Sequence, residues 1–280
     1  MSTRSICITI AAGTAGFLLA GCGLTQHTAT AHHQPTKAVS AQQAIALAAS
    51  HAAIANSFAA TFSMNATANG AALNAKGTIE ESEKPSLFAD MNFTSFTAEG
   101  HSMPGGIEEI ITPGGLYIRM SSLSQMTGKH WVKIPSSEFN AAGGLNLSQL
   151  LQQAQNTNPL VQTQMLAGAT DVRTVGTSVL GGVTVTEYTG TYPMTAAIAR
   201  LPASERAKVS QLVEQEGIAS VDFKVWVDNQ HQVHKMIITE QGSTFSETFT
   251  MSVTSMNQPL NTALPPASDV ASIPPGVLKG

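Results

Sequence analysis

Alternation of apolar and polar residues is the feature of this sequence that most constrains its fold. In FSMNATANG, Phe62, Met64 and Ala66 alternate with polar residues, and Asn69-Gly70 then forms a typical hairpin signal. Further strand-like runs cover 86–96, 106–112, 115–121, 130–134, 171–178, 182–192, 220–228, 232–241 and 244–255. The sequence therefore predicts about eleven strands, separated by turns rich in Gly, Pro and Asn.

Helical patterns occur at three places between these runs. Ser40-x-x-Gln43 is a capping box, and apolar residues at helical spacing predict a helix from there to about residue 57. The segments NLSQLLQQAQ (146–155) and PASERAKVSQLVEQEG (202–217) show the same spacing. We expect an α+β fold, in which a large antiparallel sheet carries a few helices.

The N-terminal segment has the organisation of a secretory signal peptide. A single cation, Arg4, precedes an apolar run from Ile6 to Leu19, and the segment ends in the small residues Ala20-Gly21. The run is too short to span a bilayer. We therefore expect residues 1–21 to be removed on export.

Cys22 directly follows this segment, and Leu19-Ala20-Gly21-Cys22 resembles the lipobox of bacterial lipoproteins. The resemblance implies a diacylglyceryl group on the Cys22 thiol and a membrane-anchored protein on the extracytoplasmic face. Cleavage would discard Cys7, the other cysteine, so no intrachain disulfide is expected. The alternative is an ordinary exported protein in which Cys22 is incidental. Residues 22–39 are predicted to form the lipidated cysteine and a flexible tether, and residues 40–280 the folded domain.

Composition excludes some classes of partner. Only 11% of the residues are charged and the formal net charge is −4, so the chain lacks the basic surface that nucleic acid requires. No later apolar run reaches membrane-spanning length, so lipid on Cys22 would be the membrane attachment.

Catalytic and metal-binding motifs are absent from the sequence. His231 and His234 are three residues apart, which on a strand places them on opposite faces. The acid-rich stretches at 80–83 and 108–109 are typical of solvated strand edges or turns. We predict no enzyme activity, no cofactor and no metal, although a site assembled from distant residues would not be visible in one sequence.

The order of elements resembles the actinobacterial LppX/LprG-type lipoproteins, whose fold is related to the carrier LolA. The matching pieces are the lipobox, the tether, a helix and a long hairpin, followed by GGLYIRM, KHWVKIP, GVTVTEYTGTY, VDFKVWVDNQHQVHKMIIT and TFTMSVTSMNQPL. The resemblance covers about 60–280. It implies a half-barrel sheet whose concave side, closed by helices, forms a cavity for acyl chains of envelope lipids.

Several predicted strands carry apolar residues on one face only, as such a cavity requires. The predicted lining consists of Phe62, Met64, Ala66, Leu73, Phe223, Val225, Val227, Phe249, Met251 and Val253, with Glu247 as the exception on the last strand. The same residues could instead form a closely packed core. The expected function is binding and transfer of a lipid or other apolar molecule. The alternative is a sensor or scaffold for an envelope protein, with the same fold and a filled core.

Overall fold

A computed structural model describes residues 39–82, 84, 86–103, 105–136, 163, 166–199, 206–207, 210–211, 213–214 and 217–272. Cys22, the signal peptide, the tether up to residue 38 and the helix predicted at 146–155 lie outside the described residues and remain predictions. Within the described part, no helix is long and apolar enough to cross a membrane.

One sheet of thirteen strands dominates the described residues. The strands are β1 (Ser57–Ala68), β2 (Ala71–Ser82), β3 (Phe88–Ala98), β4 (His101–Ser102), β5 (Ile107–Thr112), β6 (Gly115–Met120), β7 (Trp131–Pro135), β8 (Thr170–Leu180), β9 (Val183–Pro193), β10 (Ser220–Asp228), β11 (Val233–Gln241), β12 (Phe245–Met256) and β13 (Val270–Ser272). Their order is β13-β7-β6-β5-β3-β2-β1-β12-β11-β10-β9-β8, with β4 attached to β3. The pairing is antiparallel except between β13 and β7. The predicted large antiparallel sheet is confirmed.

The predicted hairpin at Asn69-Gly70 is also confirmed. Ala68 pairs with Ala71 across the turn, and Asn69 and Gly70 both have positive φ, 52° and 83°. Asn and Gly tolerate this conformation better than other residues, which is why the dipeptide specifies a two-residue turn.

Helix α1 (Ala41–Ala53) begins at the predicted capping box. The Ser40 side chain accepts a hydrogen bond from the Gln43 backbone N–H, and the Ser40 backbone N–H donates to the Gln43 side chain, both at 3.2 Å. The helix ends before the predicted residue 57, because Ser57 already begins β1. Its buried side is mostly alanine, which allows the helix axis to approach the sheet closely.

The structure contains short elements that the sequence patterns did not predict. Helices α2 (Ser121–Thr127) and α3 (Met194–Ile198) follow directly on strands, and β13 adds to the edge strand β7. Contacts distant in sequence hold β13 in place: Lys129 Nζ donates to the Ser268 carbonyl at 2.6 Å, and His130 Nδ1 lies 2.9 Å from Asp269. An element of three residues is too short to show a period.

The helix predicted at 202–217 is helical where the structure describes it. Residues 206–207, 210–211 and 213–214 have helical conformation, and Gly217 has φ of 69°, as expected after a helix C-terminus. Val213 packs against the main core.

Candidate ligand-binding face

The two faces of the sheet are distinguished by strand register, because directly opposed residues on antiparallel strands point to the same side. Val225 pairs with Met236, Met236 with Met251, and Met251 with Phe62. We call the side that carries these residues the inner face. Residues of α1 and of these strands belong to one hydrophobic cluster, so α1 packs on the inner face.

One part of the inner face is closely packed. Its strand residues are only 0–4% exposed, and they share a cluster with Ile45, Ala48 and Ala52 of α1. We call this part the closed half, and it comprises Val221, Phe223, Val225, Val227, Val233, Met236, Ile238 and Met251. These side chains form an ordinary protein core.

The neighbouring part of the inner face is apolar but only partly buried. It lies mainly on β1, β2, β3 and β5, with Phe249 of β12 at the border with the closed half. We call it the open half, and it comprises Phe62, Met64, Ala66, Leu73, Met91, Phe93, Phe96, Ile107 and Phe249. Large apolar side chains therefore remain partly accessible at the centre of this sheet.

Four phenylalanines form a connected group within the open half. The ring of Phe62 lies 5.5 Å from that of Phe93 and 6.2 Å from that of Phe249, and Phe93 lies 6.2 Å from Phe96. Two of these contacts are edge-to-face, an arrangement that aromatic pairs prefer. We refer to Phe62, Phe93, Phe96 and Phe249 as the aromatic patch.

Gly77 of β2 allows the aromatic patch to form. It sits between Phe62 and Phe93 in the register, next to an irregularity in the β2–β3 pairing. A Cβ atom at this position would lie 2.0 Å from the Asn92 carbonyl oxygen and 3.0 Å from the Phe62 ring. Because glycine has no side chain, the Phe62 ring can lie over β2 and reach Phe93.

The predicted lining residues are thus divided between the two halves. Phe223, Val225, Val227 and Met251 lie in the closed half, whereas Phe62, Met64, Ala66, Leu73 and Phe249 lie in the open half. Val253, like Phe62 and Phe249, is partly buried and packs against the main core. Whether any of them contacts a ligand stays a prediction.

Carboxylates on the inner face were missed as a group by the sequence patterns. Glu240 pairs directly with Glu247 across β11 and β12, and Glu247 pairs with Ala66. Burial raises the pKa of both carboxyl groups, and the charge of Glu247 raises the pKa of Glu240 further. Glu109 lies between Met91 and Ile118 in the register, and burial raises its pKa as well. The sequence did contain one sign of these inner-face carboxylates, because Glu247 is a charged residue on the otherwise apolar face of the last predicted strand.

Glu81 corrects one prediction about the acid-rich stretches. It was expected at a solvated edge or turn, but it is 3% exposed and pairs with Phe58 and Ala89. The acid-rich stretch is buried here because residues 80–82 are the last residues of β2. They pair with β3 and do not form a turn.

The outer face carries the strand cations, and on β3, β5, β6 and β7 it also carries a small buried apolar cluster of Phe88, Ile110, Tyr117 and Trp131. Lys235 Nζ lies 4.9 Å from the Trp226 ring centroid, and Arg119 forms an ion pair with Glu108. A groove of about 470 Å³ on this face includes Arg173 and Lys224 among its lining residues. Asp171 and Asp222 also line it, so charged side chains of both signs border this groove.

The two histidines of the β10–β11 region make separate contacts, but His231 lies in the turn before β11, with φ of 61°, and not on a strand as predicted. His234 Nε2 lies 3.0 Å from Asp228 Oδ2, whereas the His231 ring lies 6.1 Å from that of His51. The Asp228 carboxylate also accepts hydrogen bonds from the backbone N–H groups of Gln230 and Gln232, which fixes the turn. Among the described residues, no three His, Cys, Asp or Glu side chains are arranged to hold a metal ion.

A large, open, mostly antiparallel sheet with helices packed on one face places the chain in the class of LolA/LppX-like folds. Among solved structures, it is similar to LprF from Mycobacterium bovis, with 12% identity, a TM-score of 0.50, and coverage of 80% of this chain and 96% of LprF. The lipoprotein LppX from Mycobacterium tuberculosis matches with 15% identity, a TM-score of 0.46, and coverage of 80% and 98%. No family model and no curated protein sequence matches the chain. The fold predicted from the sequence resemblance is confirmed.

Proposed function

We propose that the chain is a membrane-anchored envelope lipoprotein that binds and transfers a lipid or other apolar molecule on the open half of the inner face. The observation that carries this proposal is the contrast between the two halves. Strands of one sheet bury Val225, Met236 and Met251 completely, yet leave the aromatic patch partly accessible.

A binding role accounts for this contrast physically. Each Å² of apolar surface removed from water contributes about 25 cal/mol, so covering several partly exposed Phe, Met and Leu side chains favours binding of an apolar chain. Met64 and Met91 have flexible side chains that adapt to ligands of irregular shape. The absence of charged side chains from the aromatic patch avoids a desolvation cost when the ligand enters.

The N-terminal segment would keep this face near a membrane. Acylated Cys22 carrying two or three chains would bind a bilayer stably, and residues 23–39 would span roughly 20–25 Å as a flexible coil. A tether of this length lets the domain exchange a ligand with the membrane while it remains attached. We propose the extracytoplasmic face of the cell membrane as the location.

The proposed role is binding and not catalysis. The matched fold and the apolar open half support binding of an acyl chain. The rival function is a sensor or scaffold for an envelope protein, in which the same face would be filled by protein.

Extraction of the purified full-length protein separates these functions. An organic solvent removes non-covalent lipid but leaves the acyl groups on Cys22, so mass spectrometry of the extract reports bound ligand only. We expect about one apolar molecule per protein. A Phe93→Asp variant should lose it, and an outer-face control, Ser95→Asp, should retain it. An extract without stoichiometric lipid from the parent protein would favour the scaffold.

A further inference from the structure

The hairpin formed by β8 and β9 is uncharged, apolar and exposed around its turn. Residues 174–186 contain no charged side chain. Val175 and Val179 are 58% and 65% exposed, and Val183 is 38% exposed. A single exposed valine is ordinary on a protein surface, but a group of them at one place indicates contact with another apolar body.

The end of this hairpin projects beyond its neighbour in the sheet. Val185 is the last residue of β9 that pairs with β10, so the pairs Val179–Thr184 and Leu180–Val183 have only each other as strand neighbours. A Cβ atom at Gly181 or Gly182 of the turn would meet no atom within 4 Å. These two pairs and the turn therefore extend by about 7–10 Å past the last row shared with β10. We call residues 179–184 the hairpin tip.

Pairing of a second copy along the edge of β8 does not account for the exposed valines. β8 is an edge strand, but its pairing with β9 is irregular twice, between Thr170 and Arg173 and between Thr174 and Gly176. Such β-bulges interrupt the regular row of N–H and C=O groups that an added strand requires, and they commonly protect an edge. The hairpin tip therefore fits a partner into which it can insert.

A row of residues typical of a membrane interface lies behind the hairpin tip. Gly176 pairs with Glu187, Glu187 with Trp226, and Trp226 with Lys235, whose Nζ lies 4.9 Å from the Trp226 ring centroid. Glu187 is four residues from Val183, so this row is about 14 Å from the turn. Tryptophan and lysine are common at the level of the lipid head groups. Glu187 and Lys235 carry opposite charges, so the contact does not require anionic lipid.

We propose that the hairpin tip inserts into the surface of a lipid bilayer, as a second membrane contact besides the acyl group proposed on Cys22. Val179, Leu180 and Val183 enter about 5–10 Å into the boundary between head groups and acyl chains, while Trp226 remains among the head groups. Burial of apolar surface drives the insertion. This contact goes beyond the function proposed above, because it requires no ligand on the open half.

The chain before α1 is long enough for both membrane contacts. Gln42 at the start of α1 donates a hydrogen bond to the Ala169 carbonyl at 3.0 Å, so the chain enters α1 at the end of β8 that is far from the hairpin tip. The 11 residues of β8 span about 37 Å. Residues 23–39 reach about 60 Å when extended. An anchor at Cys22 is thus compatible with insertion of the hairpin tip into the same bilayer.

Quenching of tryptophan fluorescence by brominated lipid tests the insertion. Val179→Trp places a reporter at the hairpin tip, and Met126→Trp places one on α2 at the opposite end of the sheet, where the replaced residue is 73% exposed. The full-length proteins are reconstituted into dioleoylphosphatidylcholine vesicles with and without bromine on the acyl chains, and the parent protein gives the baseline of its two tryptophans. We expect the reporter at the hairpin tip to emit at shorter wavelength and to be quenched severalfold more than the reporter on α2.

Charged variants assign the contact to the exposed valines. Val175→Asp with Val183→Asp, added to the Val179→Trp protein, should abolish the quenching, because carboxylates oppose insertion into the bilayer. The matched control is Met103→Asp with Met126→Asp, which replaces two exposed apolar residues at the opposite end of the sheet and should leave the quenching unchanged. All four replaced residues are exposed, so thermal unfolding of both variants should match that of the parent protein.

The outcomes separate the two membrane contacts. Protein that floats with the vesicles but whose reporter at the hairpin tip is not quenched would overturn the insertion and leave the anchor at Cys22 intact. Emission at shorter wavelength without quenching would show that protein covers the hairpin tip, and it would overturn the insertion too. Quenching that persists in the variant with two aspartates would do the same. Protein that does not float with the vesicles would overturn both contacts.

Discussion

The same aromatic ring introduced into the two halves of the inner face should have opposite effects on stability and on ligand binding. Val225 in the closed half is 0% exposed and has Tyr188 and Met236 as its cross-strand neighbours. Val225→Phe adds volume where no space exists, so the free energy of unfolding should fall by about 1–3 kcal/mol.

Ala66→Phe adds more volume than Val225→Phe does, yet it should lower the free energy of unfolding by less. Ala66 is partly buried and lies between Leu73 and Glu247 in the open half. The new ring would occupy space that an acyl chain fills, so we expect a change within about 0.5 kcal/mol for the lipid-free protein. Bound lipid should fall severalfold, because the ring and the ligand compete for one volume.

Both quantities are measurable on the same preparations. Chemical denaturation of delipidated protein gives the free energy of unfolding, and mass spectrometry of extracts gives lipid per protein. If Ala66→Phe destabilised the lipid-free protein as much as Val225→Phe does, the open half would be closely packed as well and would leave no space for a ligand.

Three further predictions test other parts of the structure. Cys22→Ala should abolish lipid attachment and signal processing together, and normal processing of this variant on a gel would contradict the lipobox. Gly77→Ala should destabilise by about 2–3 kcal/mol, because its Cβ would meet the Asn92 carbonyl, whereas Gly176→Ala, with no atom within 4 Å, should be neutral by the same denaturation assay. Burial, followed by the charges of Glu108 and Glu80, raises the pKa of Asp90 from 3.8 to about 6. The folded state therefore binds this proton more tightly, and stability is lost as pH rises through that interval. A shift of this size sets a ceiling of about 3 kcal/mol, which solvent screening of the half-buried group reduces to roughly 1 kcal/mol. Asp90→Asn should thus stabilise the protein at pH 7.5 but not at pH 4, and an equal gain at both pH values would show that ionisation is not the cause.

The strands were predictable because most of them show an alternation of apolar and polar residues and are separated by recognisable turn residues. Asn69-Gly70 specifies the first hairpin locally, and the run at 220–228 matches β10. β13 was not predictable, because its position depends on contacts of Lys129 and His130 with residues about 139 positions away in sequence.

The division of the inner face into a closed half and an open half could not be predicted from the sequence either. Val225 and Met64 belong to equally clear alternating patterns, and only the packing of α1 and its neighbours makes one fully buried and the other partly accessible. Glu247 was visible as a polar residue on an apolar face. Its pairing with Glu240 follows from the β11–β12 register, which the pattern of a single strand does not determine.

The position of the bound acyl chain decides whether the open half of the inner face is the binding surface. A lipid with a photoreactive diazirine at the end of an acyl chain would be bound to the full-length protein, irradiated, and mapped by peptide mass spectrometry. We expect crosslinks to β1 and β3, at Met64, Phe93 or Phe96, and none at Val225 of β10. Crosslinks confined to the outer-face groove around Arg173 and Lys224, or scattered over the surface, would contradict this expectation.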